Sequence, residues 1–331
     1  MKTILKILGL LLVVLVLIGA GGYIWATSVT NRTLARTFEI HSVDFPIPYP
    51  LTTEEMAELG VSPEEAPRVA MERAIERGRH LVSARYACTE CHGENLGGGV
   101  MVDAFPIGTL LGPNLTAGTG SRTRGYSPAD WDRIVRHGVL PDGRPAAMPS
   151  EDFVAMSDQE LSDAIAYVQS FPPVDNTVAP PSLGPLGKVL VATGALPLSA
   201  DRIETHDAAH APMPPSTGVT VEFGGHLAAT CAGCHGESLT GGPIVGGDPS
   251  WPPAKNLTAH ETGLASWGFE DFRAAMIQGR RPDGTELLVP MTMVLPYARN
   301  MTDVEMEALW TYLRSLPALP TGGGADGPRG H

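Results

Sequence analysis

The sequence predicts an all-α protein, in which one membrane-spanning helix precedes two tandem copies of a small helical domain. Three observations carry this. An uncharged run from Ile7 to Ala26 is as long as a bilayer span. A set of short motifs between Gly78 and Leu161 recurs in the same order between Gly224 and Met306. Each copy closes with Ser or Thr, then Glu three residues on, then apolar residues at helical spacing, which is the signature of a capped amphipathic helix.

Within the repeat, the four cysteines fall in two identical patterns, Cys88-Thr89-Glu90-Cys91-His92 and Cys231-Ala232-Gly233-Cys234-His235. C-x-x-C-H is the covalent haem c attachment pattern. Thiols three residues apart lie about one helical turn from each other, so both reach one edge of a porphyrin. The histidine that follows is carried beneath the ring, where it can ligate iron. A four-cysteine zinc site would have to be assembled across more than a hundred residues and would leave both histidines unexplained. A thioredoxin-type redox pair belongs in a βαβ unit, and no such alternation is present. A disulfide framework suits a much shorter secreted chain. The implied cofactors are two covalently bound haem c groups with their iron.

Composition fits that reading. The 331 residues suffice for two domains with connectors, and 38 Gly with 30 Pro imply long irregular loops. Aromatic residues make up only 6%, sparse for a core built from side chains alone, and bound porphyrin would supply apolar bulk. A formal net charge of −13 argues against nucleic acid as a partner and suits a redox partner with a basic face.

At the amino terminus, Lys2 and Lys6 precede the apolar run, and Tyr23 and Trp25 fall at its far end, where an aromatic belt sits. Residues 1–26 are read as a transmembrane anchor, with a cleaved signal peptide ending at Ile18-Gly19-Ala20 as the rival. No cysteine follows the run, which excludes a lipoprotein. Haem c attachment is periplasmic, so the domains are expected on the periplasmic side of the cytoplasmic (inner) membrane, held by a single pass. Residues 27–65, with Phe45-Pro46-Ile47-Pro48-Tyr49-Pro50, read as an extended periplasmic tether. A short helix is expected to begin at Thr53-Glu54-Glu55-Met56.

The two haem domains are expected at 66–173 and 220–319. Gly78-Arg79-His80-Leu81 pairs with Gly224-Gly225-His226-Leu227, and Cys91-His92-Gly93-Glu94 with Cys234-His235-Gly236-Glu237. Asn114-Leu115-Thr116 pairs with Asn256-Leu257-Thr258, and Pro141-Asp142-Gly143 with Pro282-Asp283-Gly284. Ser157 with Glu160 and Thr302 with Glu305 open the closing helices, which Pro172 and Pro317 end. Middle helices are expected around Trp131 and Phe272. The helices of each copy should cross around the haem edge, with Gly78 and Gly224 allowing close approach. Between the domains, 174–219 is a Pro-rich connector with room for one short helix at Leu183–Gly194. Residues 320–331 read as a disordered tail.

This order of motifs resembles the class I cytochrome c domains of membrane-anchored di-haem cytochromes, some of which are cytochrome subunits of periplasmic alcohol and aldehyde dehydrogenases. The resemblance runs from about Arg77 to Leu319. It implies two tandem cytochrome c-like haem domains, and a loop methionine eight residues before Met-Ser/Thr-Asp as the sixth iron ligand. That position is Met148 in the first copy and Met293 in the second, with Met291 as runner-up because four extra residues follow Gly284. Val294 stands where the pattern has proline. His92 and His235 are the proximal ligands; His137 and His260 are weaker sixth-ligand candidates. Core packing is the plain alternative for every one of these methionines.

Arg122 and Arg124 in the first copy, and Arg280 and Arg281 in the second, are either propionate partners or solvated charges. The Asn-Leu-Thr pairs match the glycosylation pattern, but their duplication argues for polar side chains that close a loop near a propionate. Histidine and methionine on opposite faces saturate the iron and raise its potential. The sequence therefore points to an electron-transfer protein, not an enzyme. It would relay electrons between a dehydrogenase or quinol-oxidising partner and a terminal acceptor. A di-haem cytochrome c peroxidase is the alternative, and would need one haem with an open face.

Overall fold

The computed structural model describes residues 2–41 and 43–323; the remainder of the expected tail, 324–331, lies outside the described residues. Helix α1 (Lys2–Leu34) is long and apolar enough to cross a membrane, and it continues eight residues beyond the expected anchor, to Leu34. The extension has a physical cause. Ala26 and Thr30 are buried, Thr30 Oγ1 donates to the Lys188 carbonyl (2.8 Å), and Lys188 Nζ donates to the Tyr23 hydroxyl (3.1 Å). Packing by a later helix thus keeps the last turns of α1 wound.

Residues 43–50 do not lift the first domain off the bilayer as a free tether would. Phe45 is buried against Leu161, Ile165 and Trp131, and Ser162 Oγ donates to the Pro46 carbonyl (2.7 Å). Prolines hold this strip extended, and its apolar side chains are drawn onto the domain.

Helix α2 (Thr53–Leu59) carries a Thr52/Glu55 capping box. In the first domain, α3 (Ala66–His80) runs through a π-type turn at Leu81–Arg85 into α4 (Cys88–His92). Strands β1 (Gly99–Ala104) and β2 (Gly108–Gly112) follow as an antiparallel hairpin, with Val100 opposite Leu111 and Ala104 opposite Gly108. Helices α5 (Pro128–His137) and α6 (Asp158–Gln169) complete the domain, with a 3₁₀ turn at Ser150–Asp152 between them. The hairpin departs from the all-α expectation. Its β-branched residues are too few to show period-two alternation, and Gly99, Gly108 and Gly112 let its backbone lie against α4 and the connector. The chain remains predominantly helical.

The connector packs on the rest of the chain at several points. Strand β3 (Ser182–Leu183) joins β2, α7 (Pro185–Ala192) lies along α1, and α8 (Ser199–Arg202) meets the 3₁₀ turn. The second domain contains α9 (Val221–Ala228), a 3₁₀ turn, α10 (Ala232–His235), α11 (Phe269–Gln278), α12 (Met291–Ala298) and α13 (Asp303–Ser315).

The two domains share one crossing. A Cβ on Gly78 would sit 2.0 Å from the Asp163 carbonyl oxygen, and one on Gly224 2.0 Å from that of Ala308. Each glycine therefore permits a helix contact that any side chain would push apart. The pairs α3/α6 and α9/α13 build the two cores on this contact, and Ser157–Glu160 and Thr302–Glu305 cap the closing helices as expected.

Candidate haem-binding sites

Each C-x-x-C-H segment is fixed by the same set of bonds. His92 Nδ1–H donates to the Pro113 carbonyl (2.9 Å) and His235 Nδ1–H to the Lys255 carbonyl (2.6 Å). A carbonyl can only accept, so both imidazoles are held in the tautomer that leaves Nε2 with a free lone pair. Burial lowers the pKa of both rings, which further favours the neutral ligand form. Gly93 (φ 79°) and Gly236 (φ 76°) turn the chain out of the motif, a conformation that suits glycine. Leu96 (φ 55°) and Leu239 (φ 54°) share the left-handed region without that freedom, both fully or nearly fully buried. Their carbonyls accept from Leu115 N (2.9 Å) and Leu257 N (2.8 Å), so the haem loop is tied to the Asn-Leu-Thr segment in both copies. The repeated Cys-His-Gly-Glu-x-Leu spelling was the signal for this lock, and its leucine did not stand out in the sequence.

The Asn-Leu-Thr side chains do close a loop, and they do so by bonding backbone. Asn114 Nδ2 donates to the Val174 carbonyl (2.7 Å) and Asn256 Nδ2 to the Leu319 carbonyl (2.8 Å), while each Oδ1 accepts from the threonine amide two residues on. Both asparagines are at most 1% exposed, which leaves no side chain for glycosylation.

A cavity of about 480 Å³ in the first domain is bordered by Cys88, Cys91, His92 and Met148 together, with Trp131 and Ile165 among its apolar walls. Its volume lies within the range of about 300–1,000 Å³ usual for cofactor sites. The donor set and the apolar walls fit a haem c. Arg122 and Arg144 also border it, whereas Arg124 is spent on the carbonyls of Ala117 and Gly118. Arg144, which was not singled out from the sequence, also bonds Asp142, two residues earlier.

In the second domain, Cys231 and Cys234 flank Gly233, and Met291 and Met293 lie in the first turn of α12. Met293 is 43% exposed; Met291 is half-buried and shares a helix face with buried Leu295 and Ala298. Arg281 is engaged within its own turn, with Thr285 and the Glu286 carbonyl. Neither weaker histidine candidate stands with these groups. His260 bonds Thr262, and His137 is buried among other histidines away from the cavity.

His80 and His226, the histidines of the repeated Gly-x-His-Leu motif, meet the other domain. His80 Nε2–H donates to Glu305 (2.8 Å), and His226 Nε2–H donates to Glu160 (2.8 Å). The haem segments lie at the same junction. Tyr297 on α12 donates to Glu90 (2.8 Å) inside the first C-x-x-C-H, and the second motif, at Gly233, abuts Asp152 of the first domain.

Comparison with known proteins agrees with this architecture. Residues 73–168 match the family described as cytochrome c oxidase, cbb3-type, subunit III, and residues 222–317 match cytochrome c. The chain is 25% identical over 283 residues to the cytochrome c subunit of a quinone-dependent alcohol dehydrogenase of Gluconobacter oxydans, covering 76% of this chain and 57% of that one. It is 25% identical to the fructose dehydrogenase cytochrome subunit of Gluconobacter japonicus (78% and 56%) and 26% identical to the gluconate 2-dehydrogenase cytochrome c subunit of Pantoea cypripedii (75% and 61%). It thus spans little more than half the length of these relatives. Among the described residues one helix, at the N-terminus, is long and apolar enough to cross the membrane, and the rest of the chain faces the periplasm. The chain is a membrane-anchored c-type cytochrome with two cytochrome c-like domains, each bearing a haem-binding cysteine pair, and is homologous to the cytochrome c subunits of dehydrogenases.

Proposed function

We propose that the chain passes single electrons on the periplasmic side of the membrane, from a dehydrogenase-type catalytic subunit to a downstream acceptor. The observation that carries this is the reciprocal junction, which sets each C-x-x-C-H segment against the other domain. Haem c supplies a one-electron ferric/ferrous couple when bound. Cys88, Cys91, Cys231 and Cys234 are the attachment thiols, and His92 and His235 the proximal ligands, with Nε2 freed by the backbone carbonyls. Met148 and Met293 are the sixth ligands. Met148 borders the same cavity as His92, and a side chain 43% exposed at Met293 is not a core methionine. The relatives are named as cytochrome subunits, which supports a carrier and not a catalyst, and a membrane-held docking partner of the dehydrogenase class.

The test is a spectroelectrochemical titration of the full chain, followed by pull-down from native membranes. Two reversible one-electron steps, no peroxide turnover and recovery of a dehydrogenase subunit are expected. Rapid peroxide reduction, or a high-spin haem, would overturn the relay reading.

A further inference from the structure

His41, His137 and His210 bring one ring nitrogen each to within 4.8 Å of the others. They come from three distant segments: the strip after α1, the end of α5, and the connector. None of them borders the haem cavity. His41 Nδ1–H donates to the His206 carbonyl (3.0 Å), which leaves Nε2 as an acceptor; that atom is buried and has no partner. His206 Nε2–H donates to the Ala200 carbonyl (3.0 Å), so its Nδ1 accepts from His137 Nδ1–H (3.0 Å). His137 Nε2 is therefore also a lone-pair atom. It faces His210 Nε2 at 3.1 Å and Asp132 Oδ2 at 3.6 Å.

Asp132 is 1% exposed. Its Oδ1 is taken by Arg136 Nε (2.6 Å), and Arg136 also bonds Asp158 and the Met156 carbonyl. Asp132 Oδ2 is buried without a hydrogen-bond partner. If His210 donates to His137, one contact is satisfied, but His41 Nε2 and Asp132 Oδ2 stay orphaned. Two unpartnered buried acceptors in one place carry a large desolvation penalty. A cation set among the three ring nitrogens gives them a shared partner and places a positive charge beside the Asp132 carboxylate.

We propose that His41, His137, His210 and Asp132 bind one first-row divalent transition-metal ion of the zinc class. Imidazole with one carboxylate suits such an ion, and tetrahedral zinc sets its ligand atoms about 3.3 Å apart, near the 3.1 and 3.6 Å found around His137 Nε2. His206 and the backbone carbonyls hold the outer ring nitrogens, as second-shell acceptors do in metal sites. Burial opposes protonation of His137 and His210, so the rings are kept neutral, as ligands. The ion would pin the membrane-proximal strip and the connector to the first domain.

The experiment uses the full haem-loaded chain in detergent, without a polyhistidine tag. Elemental analysis should find one such ion for every two irons, and X-ray absorption at its edge should show N/O scatterers at about 2.0 Å. His41→Ala and His210→Ala should lose the ion and keep both irons. A chelator-stripped wild-type chain should take up one Zn2+ and melt at a higher temperature. Equal metal content in wild type and both variants, or a stripped wild type that takes up no Zn2+, would show a hydrogen-bonded histidine cluster only and overturn the proposal.

Discussion

Glu160 of the first domain accepts from His226 of the second at 2.8 Å, and Glu305 of the second accepts from His80 of the first at the same distance. Each glutamate is the capping-box residue of a closing helix, so one side chain both starts its helix and binds the opposite domain. Arg85 lies between them, 3.0 Å from Glu160 and 2.6 Å from Glu305. It has no counterpart, since seven residues separate His80 from Cys88 and only four separate His226 from Cys231. The extra residues are taken up by the π-type turn that carries Arg85.

Removing Arg85 leaves two buried carboxylates facing each other. Arg85→Ala should cost about 3–5 kcal/mol of stability, the usual loss when one member of a buried ion network is deleted. Denaturant unfolding measures this. A cost near that of an exposed ion pair would mean that the junction is loose in solution.

Acid should open the same junction. Burial alone would raise the pKa of Glu305, but bonds from His80, Arg85 and Thr302 outweigh it and bring the group down from 4.5 to about 2. Glu160 is lowered in the same sense, by His226 and Ser157 against its burial. A depressed carboxyl pKa contributes stability that is complete above the unfolded value and lost as pH falls through the folded one. Melting temperature should therefore fall between about pH 4.5 and 2, and Glu305→Gln should flatten that part of the profile.

Gly78→Ala and Gly224→Ala each place a methyl on a facing carbonyl oxygen. Overpacking of about 1–3 kcal/mol is expected, with lower yield of haem-loaded protein, because these crossings build the walls around each cofactor. Thermal melts and the haem-to-protein ratio check it. Gly225→Ala is the control, since its nearest neighbour is the edge of a Tyr312 ring at 3.1 Å.

Met148→Ala and Met293→Ala should each remove about half of the weak long-wavelength absorption of sulfur-ligated ferric haem, since two equivalent sites are proposed. Met291→Ala should leave it intact. The reverse result in the second domain would move the ligand to the half-buried Met291.

Asn114→Ala would strip the Val174 carbonyl of its 2.7 Å donor and the Thr116 amide of its acceptor. A loss of about 1–3 kcal/mol is expected from these unpaired groups. Asn256→Ala should behave alike.

Local chemistry was legible without coordinates. The thiol spacing, the histidine after it, the capping boxes of Ser157 and Thr302, and Gly78 and Gly224 act within a few residues or recur in the repeat, so their meaning survives in one dimension. The hairpin at Gly99–Gly112 was not legible, because glycine and short strands carry little period-two signal. Nor was the packing of Phe45 on the first domain, the partner of each histidine, or the part played by Arg85. His80 and His226 showed in the sequence only as members of the repeated Gly-x-His-Leu motif, and nothing near them in the chain marked their acceptors. Their acceptors lie 225 and 66 residues away, in the other copy. The sequence by itself determined two haem c domains on a membrane helix, because covalent attachment is written in contiguous residues. Only the tertiary structure decided how the domains face each other and where His41, His137 and His210 converge, because contacts between distant segments depend on how whole helices pack.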